Sequence, residues 1–258
     1  MRLSLFAPLD RWITPAPKPA KVGWLKGACF AHRGLHGAGV PENSPSAFAA
    51  AAQRGLGIEC DVQRASDGQA VVFHDEELDR LTGQSGAVHD LTSQQLGQIT
   101  LSGSSDTIPT LRQMLDQIAG KVPLLIEIKS SKNNRRVGAT CLAVRRVLEG
   151  YLGPHAVMSF DPRVSRWFAQ HSSLTVRGLV VTEEEDKALP GMIRRRLSLW
   201  YARPDFLAYD IRDLPSRFAA GQRARGLPVT TWTVRSAEHR ERAAEYADAP
   251  IAEGAGLE

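Results

Sequence analysis

The sequence predicts an α/β protein, a (β/α)8 or TIM barrel. Three observations lead there. Nine short apolar runs recur along the chain, with helical patterns between most of them. Alternation of strand and helix builds a parallel sheet with helices outside it. One of the nine runs follows its predecessor across only "QRASDGQA", too short for a parallel crossover and carrying the hairpin signal Asp67-Gly68. Setting that run aside leaves eight parallel strands in 258 residues, and a barrel of this kind typically needs about 250.

The elements follow in chain order. Residues 1–27 read as an N-terminal extension, and 28–258 as a single barrel domain. The start, "MRLSLFAPLDRWI", lacks the apolar core of a signal peptide because Asp10 and Arg11 interrupt it. The stretch "TPAPKPAK" reads as an extended linker. The strand candidates are "CFAHRG", "GIECDV", "VVFHD", "LLIEIK", "AVMSF", "RGLVV", "FLAYD", "TTWTV" and "APIAEG". "VVFHD" is the antiparallel hairpin partner of "IECDV". A helix is expected after Ser44, a good N-cap followed by Pro45 at the first helical position. Val137, Cys141, Val144 and Leu148 fall on one face of another. Further helices are expected over about 111–119, 162–171, 184–200, 215–225 and 236–247, the last opened by Ser236. The chain stops soon after the eighth parallel strand, so the last helix is missing or very short, and the N-terminal segment is expected to cover that gap.

Composition narrows the class. The chain is 43% hydrophobic and 23% charged, ordinary for a globular protein with a sizeable core. Its net charge of +4 is only weak evidence for nucleic acid, and an anionic substrate or a passing membrane surface accounts for it equally well. Three cysteines, Cys29, Cys60 and Cys141, form no CxxC pair. That set argues against a disulfide framework or zinc site and for a reducing, cytoplasmic compartment. There is no apolar run of about 18 residues or more, so no membrane-spanning segment is expected.

Chemistry in a barrel sits at the C-terminal ends of the strands, and the polar residues fall there. His32 and Arg33 end the first strand, Glu59 and Asp61 the second, Glu127 and Lys129 the next parallel one. Glu-x-Asp and Glu-x-Lys each point both members to one face. With Asp67 and Gly68 as the two turn residues, Ser66 opposes Gln69, and the register sets Asp61 against His74. Glu59, Asp61 and His74 are therefore expected to converge. Three desolvated carboxylates repel one another unless a cation sits among them or some are protonated. An oxygen-ligated divalent cation, Mg²⁺ or Ca²⁺, is the simplest solution. Two histidines beside it offer a general acid and a general base, and Arg33 and Lys129 suit a phosphate. Together these make a phosphodiester-cleaving set. Singly, each motif has an ordinary structural explanation: a turn with exposed charges, a helix entry with Glu42 at the positive end of the dipole, a buried ion pair. It is their joint placement at strand ends that argues for chemistry.

With these residues in view, the sequence resembles the glycerophosphodiester phosphodiesterase family. The matching segments are "AHRG", "PENSPSAF", "GIECDV", "SDGQAVVFHDEELDRLTG", "IPTL", "LLIEIK", "SFDP" and "TTWTV", in the family's order over roughly 28–234. The resemblance implies a metal-dependent hydrolase that cleaves glycerophosphodiesters to glycerol 3-phosphate and an alcohol. It implies Glu59, Asp61 and Glu127 as metal ligands, His32 and His74 as the acid–base pair, and Arg33 and Lys129 as phosphate contacts. Glu42 matches a further active-site position that orients Arg33 or the substrate. Trp232 matches an aromatic at the mouth of the site, and about 76–106 corresponds to a small insertion over it. Two departures stand out. "PENS" replaces the commoner "PENT", and "EYADAPIAEG" lacks the aspartate of the family's usual last strand, with Glu253 near its place.

Two other readings weigh against this one. A lysophospholipase D-like enzyme would use the same site on a lipid substrate. A non-catalytic basic surface is suggested by Arg194, Arg195, Arg196, Arg203, Arg223, Arg225, Arg240 and Arg242. No nucleic-acid motif or interleaved aromatics accompany them, so nucleic acid is not expected as a partner. "MIRRRLSLWY" would suit peripheral contact with a membrane, or else a barrel helix with its apolar side packed inward. A pure binder would not need both histidines.

Overall fold

The computed structural model describes residues 6–130, 133–184 and 188–258. All nine strand candidates form strands: β1 (Phe30–Ala31), β2 (Gly57–Arg64), β3 (Ala70–Val72), β4 (Leu124–Ile128), β5 (His155–Ser159), β6 (Val176–Val181), β7 (Phe206–Asp210), β8 (Val229–Val234) and β9 (Ala249–Ala252). Their hydrogen-bonded order is β1-β9-β8-β7-β6-β5-β4-β2-β3, and β1 also pairs with β2. Eight parallel strands thus close as an α/β barrel, and β3 is one extra strand bonded to β2. The strands read as apolar runs because parallel strands are buried on both faces. The chain divides into two compact units.

In the unit from Phe30 to His155, β2 is the central strand. It pairs in parallel with β1, setting Phe30 beside Gly57, and with β4, setting Asp61 beside Glu127. The helix over Pro45–Gln53 begins where expected, Ser44 Oγ accepting the Ala47 amide at 3.1 Å. The long helix over 134–148 buries Val137, Cys141, Val144 and Leu148 as the spacing predicts. A helix over Leu111–Ile118 carries a capping box at Thr110 and Gln113.

The hairpin corrects the expected register. The Ala65 amide donates to the Gln69 carbonyl at 2.9 Å, and the Gly68 amide to the Ala65 carbonyl at 3.0 Å. Residues 66 to 68 therefore form a three-residue loop, closed by Gly68 at φ +88°, a left-handed conformation that glycine adopts without cost. Val62 pairs with Val72, and the Phe73 amide donates to the Asp61 carbonyl at 3.0 Å. Asp61 thus faces Phe73 rather than His74. The pairing of β2 with β3 ends at Val72, so His74 is placed by the chain beyond it. The following segment, with its short helices over Asp79–Thr82 and Ser93–Leu96, packs Leu78, Val88, Leu96, Ile99 and Leu101 onto Ala65, Val71, Phe73 and Ile108 of the hairpin and its flank.

In the other unit, residues 1–29 and 156–258, strands β5 to β9 run in parallel succession. Between them lie helices over Pro162–His171, Leu189–Ala202, Arg217–Ala224 and Ala237–Tyr246. Only a 3-10 turn, Gly254–Leu257, follows β9. The N-terminal segment does not behave as a free linker. Residues 15–18 are extended, but Pro19–Val22 is helical, and Lys21 bonds Asp205 at 2.7 Å. Nor do the bonds of its first helix, Ala7–Ile13, go to the end of the chain. Asp10 is buried on the helices over 189–202 and 217–224. It accepts from Arg196 Nη1 at 2.7 Å, Trp200 Nε1 at 2.8 Å and Gln222 Nε2 at 2.9 Å. A buried carboxylate with three donors fixes that helix there, and helix length and hydropathy give no sign of it. Asp10→Ala strands those donors and is expected to cost about 3 kcal/mol of stability, read from urea unfolding. An unchanged unfolding midpoint would show the segment to be merely adherent.

Candidate active site

Alternation along β2 puts Glu59 and Asp61 on one face, away from Ile58, Cys60 and Val62. The in-register pairing of Asp61 with Glu127 brings the third carboxylate alongside. All three side chains are buried, and each offers an oxygen within 4.8 Å of the others. Lys129 Nζ bridges two of them, 2.7 Å from Asp61 Oδ1 and 2.6 Å from Glu127 Oε1. Arg33 adds its backbone amide to Glu59 Oε2 at 3.0 Å and its Nε to Asp61 Oδ2 at 3.2 Å. Asn43 completes the cradle, donating from Nδ2 to Asp61 Oδ2 at 2.9 Å and accepting the Asp61 amide at 3.2 Å.

The loop that delivers these groups is tightly specified. Arg33 and Asn43 both sit at φ +55°, a left-handed conformation uncommon for residues other than glycine. The Asn43 amide bonds the Arg33 carbonyl at 2.9 Å. Gly34, at φ +80°, allows the turn to press against the helix over Pro45–Gln53, where a Cβ would lie 2.8 Å from that of Ala47. Here is a physical reason for glycine after His-Arg.

Electrostatics follow from burial and neighbours. Burial pushes the Glu59 carboxyl well above its usual range, reinforced by the charges of Asp61 and Glu127. Burial also raises Glu127, which Lys129 only partly offsets. Burial pushes Asp61 upward too, but Lys129, Arg33 and His74 outweigh it and hold its carboxyl below the ordinary value. Three carboxylates face two cations, Arg33 and Lys129, and Arg33 is also paired with Glu42. The cluster is therefore short of positive charge. Its donors are all hard oxygens, which fit a hard divalent cation; the residues present could hold one.

His32 Nε2 lies 4.0 Å from Glu59 Oε2. His74 directly follows Phe73, whose amide bonds the Asp61 carbonyl at 3.0 Å, and so adjoins the cluster. Its Nδ1 meets Asp75 Oδ1 at 2.6 Å. Gln63 Nε2 donates to the carbonyls of Phe73 and Asp75, at 3.0 and 2.5 Å, clamping the backbone on either side of it. Glu42 meets Arg33 Nη1 at 2.7 Å, and Arg80 Nη2 at the same distance. Arg80 also holds Asp75 through Nε at 2.6 Å. Its bonds, with that of His74, bring the Asp75 carboxyl down to about 2. A continuous chain of contacts thus runs from His74 through Asp75, Arg80 and Glu42 to Arg33.

The structure gathers eight of the nine residues singled out from sequence: His32, Arg33, Glu42, Glu59, Asp61, His74, Glu127 and Lys129. The ninth, Trp232, lies on β8 in the other unit, its indole donating to the Ala208 carbonyl at 3.0 Å and its ring edge-on to Phe160. It borders a cavity of about 160 Å³ with Asp210, Arg212, Arg235 and His239. Glu253 pairs with Arg235 at 2.6 Å. Sequence reasoning missed Asn43, Gln63, Asp75 and Arg80. Asn43, Asp75 and Arg80 stood inside motif segments already quoted, without a role assigned to them; Gln63 lies just outside those motifs and looks like an ordinary polar residue until the hairpin folds.

The model of the glycerophosphoryl diester phosphodiesterase family matches residues 32–252. The chain belongs to that family. Among curated relatives, the glycerophosphodiester phosphodiesterase of Bacillus altitudinis is 39% identical over 107 residues, covering 39% of this chain and 43% of that protein. The glycerophosphodiester phosphodiesterase of Caldanaerobacter subterraneus is 40% identical over 114 residues, covering 41% and 46%. The matched stretch spans less than half the length of each. A solved phosphodiesterase from Oleispira antarctica, in complex with its product sn-glycerol-3-phosphate, has the same fold at a TM-score of 0.77 and 24% identity, covering 88% of this chain and 93% of its own. A glycerophosphodiester phosphodiesterase from Thermotoga maritima follows at 0.72 and 24%, covering 89% and 96%. Family membership agrees with the resemblance carried by the motifs, and the likeness in fold agrees with the strand order.

Proposed function

We propose that the chain hydrolyses glycerophosphodiesters to glycerol 3-phosphate and an alcohol at the Glu59–Asp61–Glu127 cluster. The observation that carries this reading is a buried tri-carboxylate site short of positive charge, with His32, His74, Arg33 and Lys129 around it. Glu59, Asp61 and Glu127 hold one divalent cation, Mg²⁺ or Ca²⁺, which when bound supplies Lewis-acid polarisation of the phosphate. Arg33 and Lys129 set positive charge where phosphate oxygens gain negative charge. One imidazole takes the proton of the glycerol 2-hydroxyl, whose oxygen attacks phosphorus. The bond from phosphorus to the alcohol oxygen breaks, and the other imidazole protonates that oxygen. Water then opens the cyclic phosphate as the imidazoles exchange roles. Asp75 at Nδ1 of His74 orients the ring and leaves Nε2 for proton transfer.

The test offers the full chain glycerophosphocholine and lysophosphatidylcholine side by side, with Mg²⁺ and then Ca²⁺. Release of glycerol 3-phosphate from glycerophosphocholine, abolished by chelator, is the expected result. No release with either cation would overturn the reading, and turnover of the lysolipid alone would move the substrate class to lipids.

Arg80 supports the same site from the insertion. Arg80→Ala is expected to lower kcat by about ten- to a hundredfold while the melting temperature barely moves, because its side chain is half exposed. Arg80→Lys should recover part of the loss. Equal KM and kcat in Arg80→Ala and wild type would show the chain of contacts to be ornamental.

A further inference from the structure

The helix over 189–202 packs Leu199 and Ala202 into the core but turns most of its large apolar side chains outward. Its buried positions are Gly191, Arg195, Leu199 and Ala202. Leu189, Met192, Ile193, Leu197 and Tyr201 are all at least half exposed, and four of these recur every fourth residue, forming one outward stripe. The helix over Ala7–Ile13 lies against it, held by the bonds of Asp10 to Arg196 and Trp200 and by Arg196 stacked on Phe6 at 4.4 Å. That helix and its N-cap expose Phe6, Leu9 and Trp12, the last 80% accessible. Eight large apolar side chains on two adjoining helices far exceed the scattered exposure normal for a folded chain.

We propose that these two helices form a face that docks on an anionic lipid surface. Charge decides the occupant. Between Phe6 and Thr14, and between Ala188 and Arg203, the only acidic residue is Asp10, and it is buried. Arg11, Arg194 and Arg203 are exposed on the same two segments. Just upstream the sequence carries four acidic residues, Glu183 to Asp186, before Lys187; Glu183 is engaged by Arg195 and Tyr209, and Glu184 by Arg212. An apolar stripe with an indole and flanking arginines matches the boundary between acyl chains and acidic head groups. At 7 and 14 residues the helices are too short to cross a bilayer, which takes about 20, so they lie on it. A second copy fits worse, because an isologous contact would bring two faces bearing the same positive charges together. The inference is independent of the hydrolase reading, and the failure of either leaves the other standing.

The test uses the full chain with vesicles of phosphatidylcholine alone, or with one quarter phosphatidylglycerol, at low and high salt. Partitioning onto the anionic vesicles is expected to be about tenfold or more stronger than onto neutral ones, and to fall with salt. Tryptophan emission should shift to the blue on binding, and Trp12→Ser should remove most of that shift. Trp12→Ser/Ile193→Ser/Leu197→Ser should lose sedimentation about tenfold or more. Arg11→Gln/Arg203→Gln, which leaves every apolar residue of the stripe in place, should lose the preference for anionic lipid. Three outcomes overturn the proposal. The wild type fails to bind anionic vesicles at low salt; the triple variant binds as well as wild type; or light scattering finds a dimer that the triple variant abolishes while vesicles bind neither protein.

Discussion

His74→Ala is expected to reduce turnover about 10²–10⁴-fold while the protein remains folded. The side chain is partly exposed and contributes little packing, so the melting temperature should hold. In the proposed mechanism the ring supplies a proton acceptor or donor; the structure holds it with Asp75 at Nδ1 and with Gln63 fixing the carbonyls of Phe73 and Asp75. His32→Ala should fall by a similar factor. Steady-state kinetics on glycerophosphocholine, beside thermal melts of the same preparations, measures both. Turnover within threefold of wild type in either variant would refute its role as acid or base. Asp75→Asn makes a useful partner to the experiment: it preserves shape and removes the charge that orients the ring, so it should lie between wild type and His74→Ala.

The second large effect concerns Glu59. Burial, then the charges of Asp61 and Glu127, raise its carboxyl, so in the metal-free fold its ionised form is disfavoured. The folded pKa exceeds the unfolded one, and the folded state therefore binds more protons between the two values. Stability must then fall as pH rises through that window. At neutral pH Glu59 is a liability to the metal-free chain. Glu59→Gln should stabilise the metal-free protein by about 1 kcal/mol, or roughly 2–4 °C in Tm. It should also weaken divalent-cation affinity about a hundredfold and lower activity with it. Excess cation should recover part of that activity. Calorimetry with Mg²⁺ and Ca²⁺, and melts with and without chelator, separate the two effects. Unchanged cation affinity in Glu59→Gln, with Asp61→Asn and Glu127→Gln also unchanged, would contradict the ligand set. A residue that costs stability and confers binding is the expected signature of a functional site.

The strands were legible because parallel strands buried on both faces read as continuous apolar runs, and the helices because Ser44 and Ser236 announce two starts and Val137, Cys141, Val144 and Leu148 keep a helical period. The carboxylates were legible because a period of two along β2 admits one arrangement of Glu59 and Asp61. The hairpin register was not. Asp67-Gly68 reads as a two-residue turn, but Ser66 joins the loop, and one residue reverses which side chain stands opposite Asp61. His74 still reaches the site because pairing with β2 stops at Val72 and Gln63 fixes the path beyond it. The bond from Arg80 to Glu42 spans 38 positions with no periodicity to betray it. The outward stripe over 189–201 was open to two opposite readings, because a helical period says which residues share a face but not which way that face turns.

The apolar cluster that seats the segment after β3 includes Phe73, the residue next to His74, and the same segment lends Arg80 to the carboxylates around it. Any lineage that remodels this excursion to accept a new leaving alcohol does so under inheritance from both ends. Its length and tip are free to drift, whereas its greasy underside and one guanidinium must be passed on intact. Diversification among relatives should then be written in the crest of the loop, and loss of either anchor should mark copies that have given up catalysis.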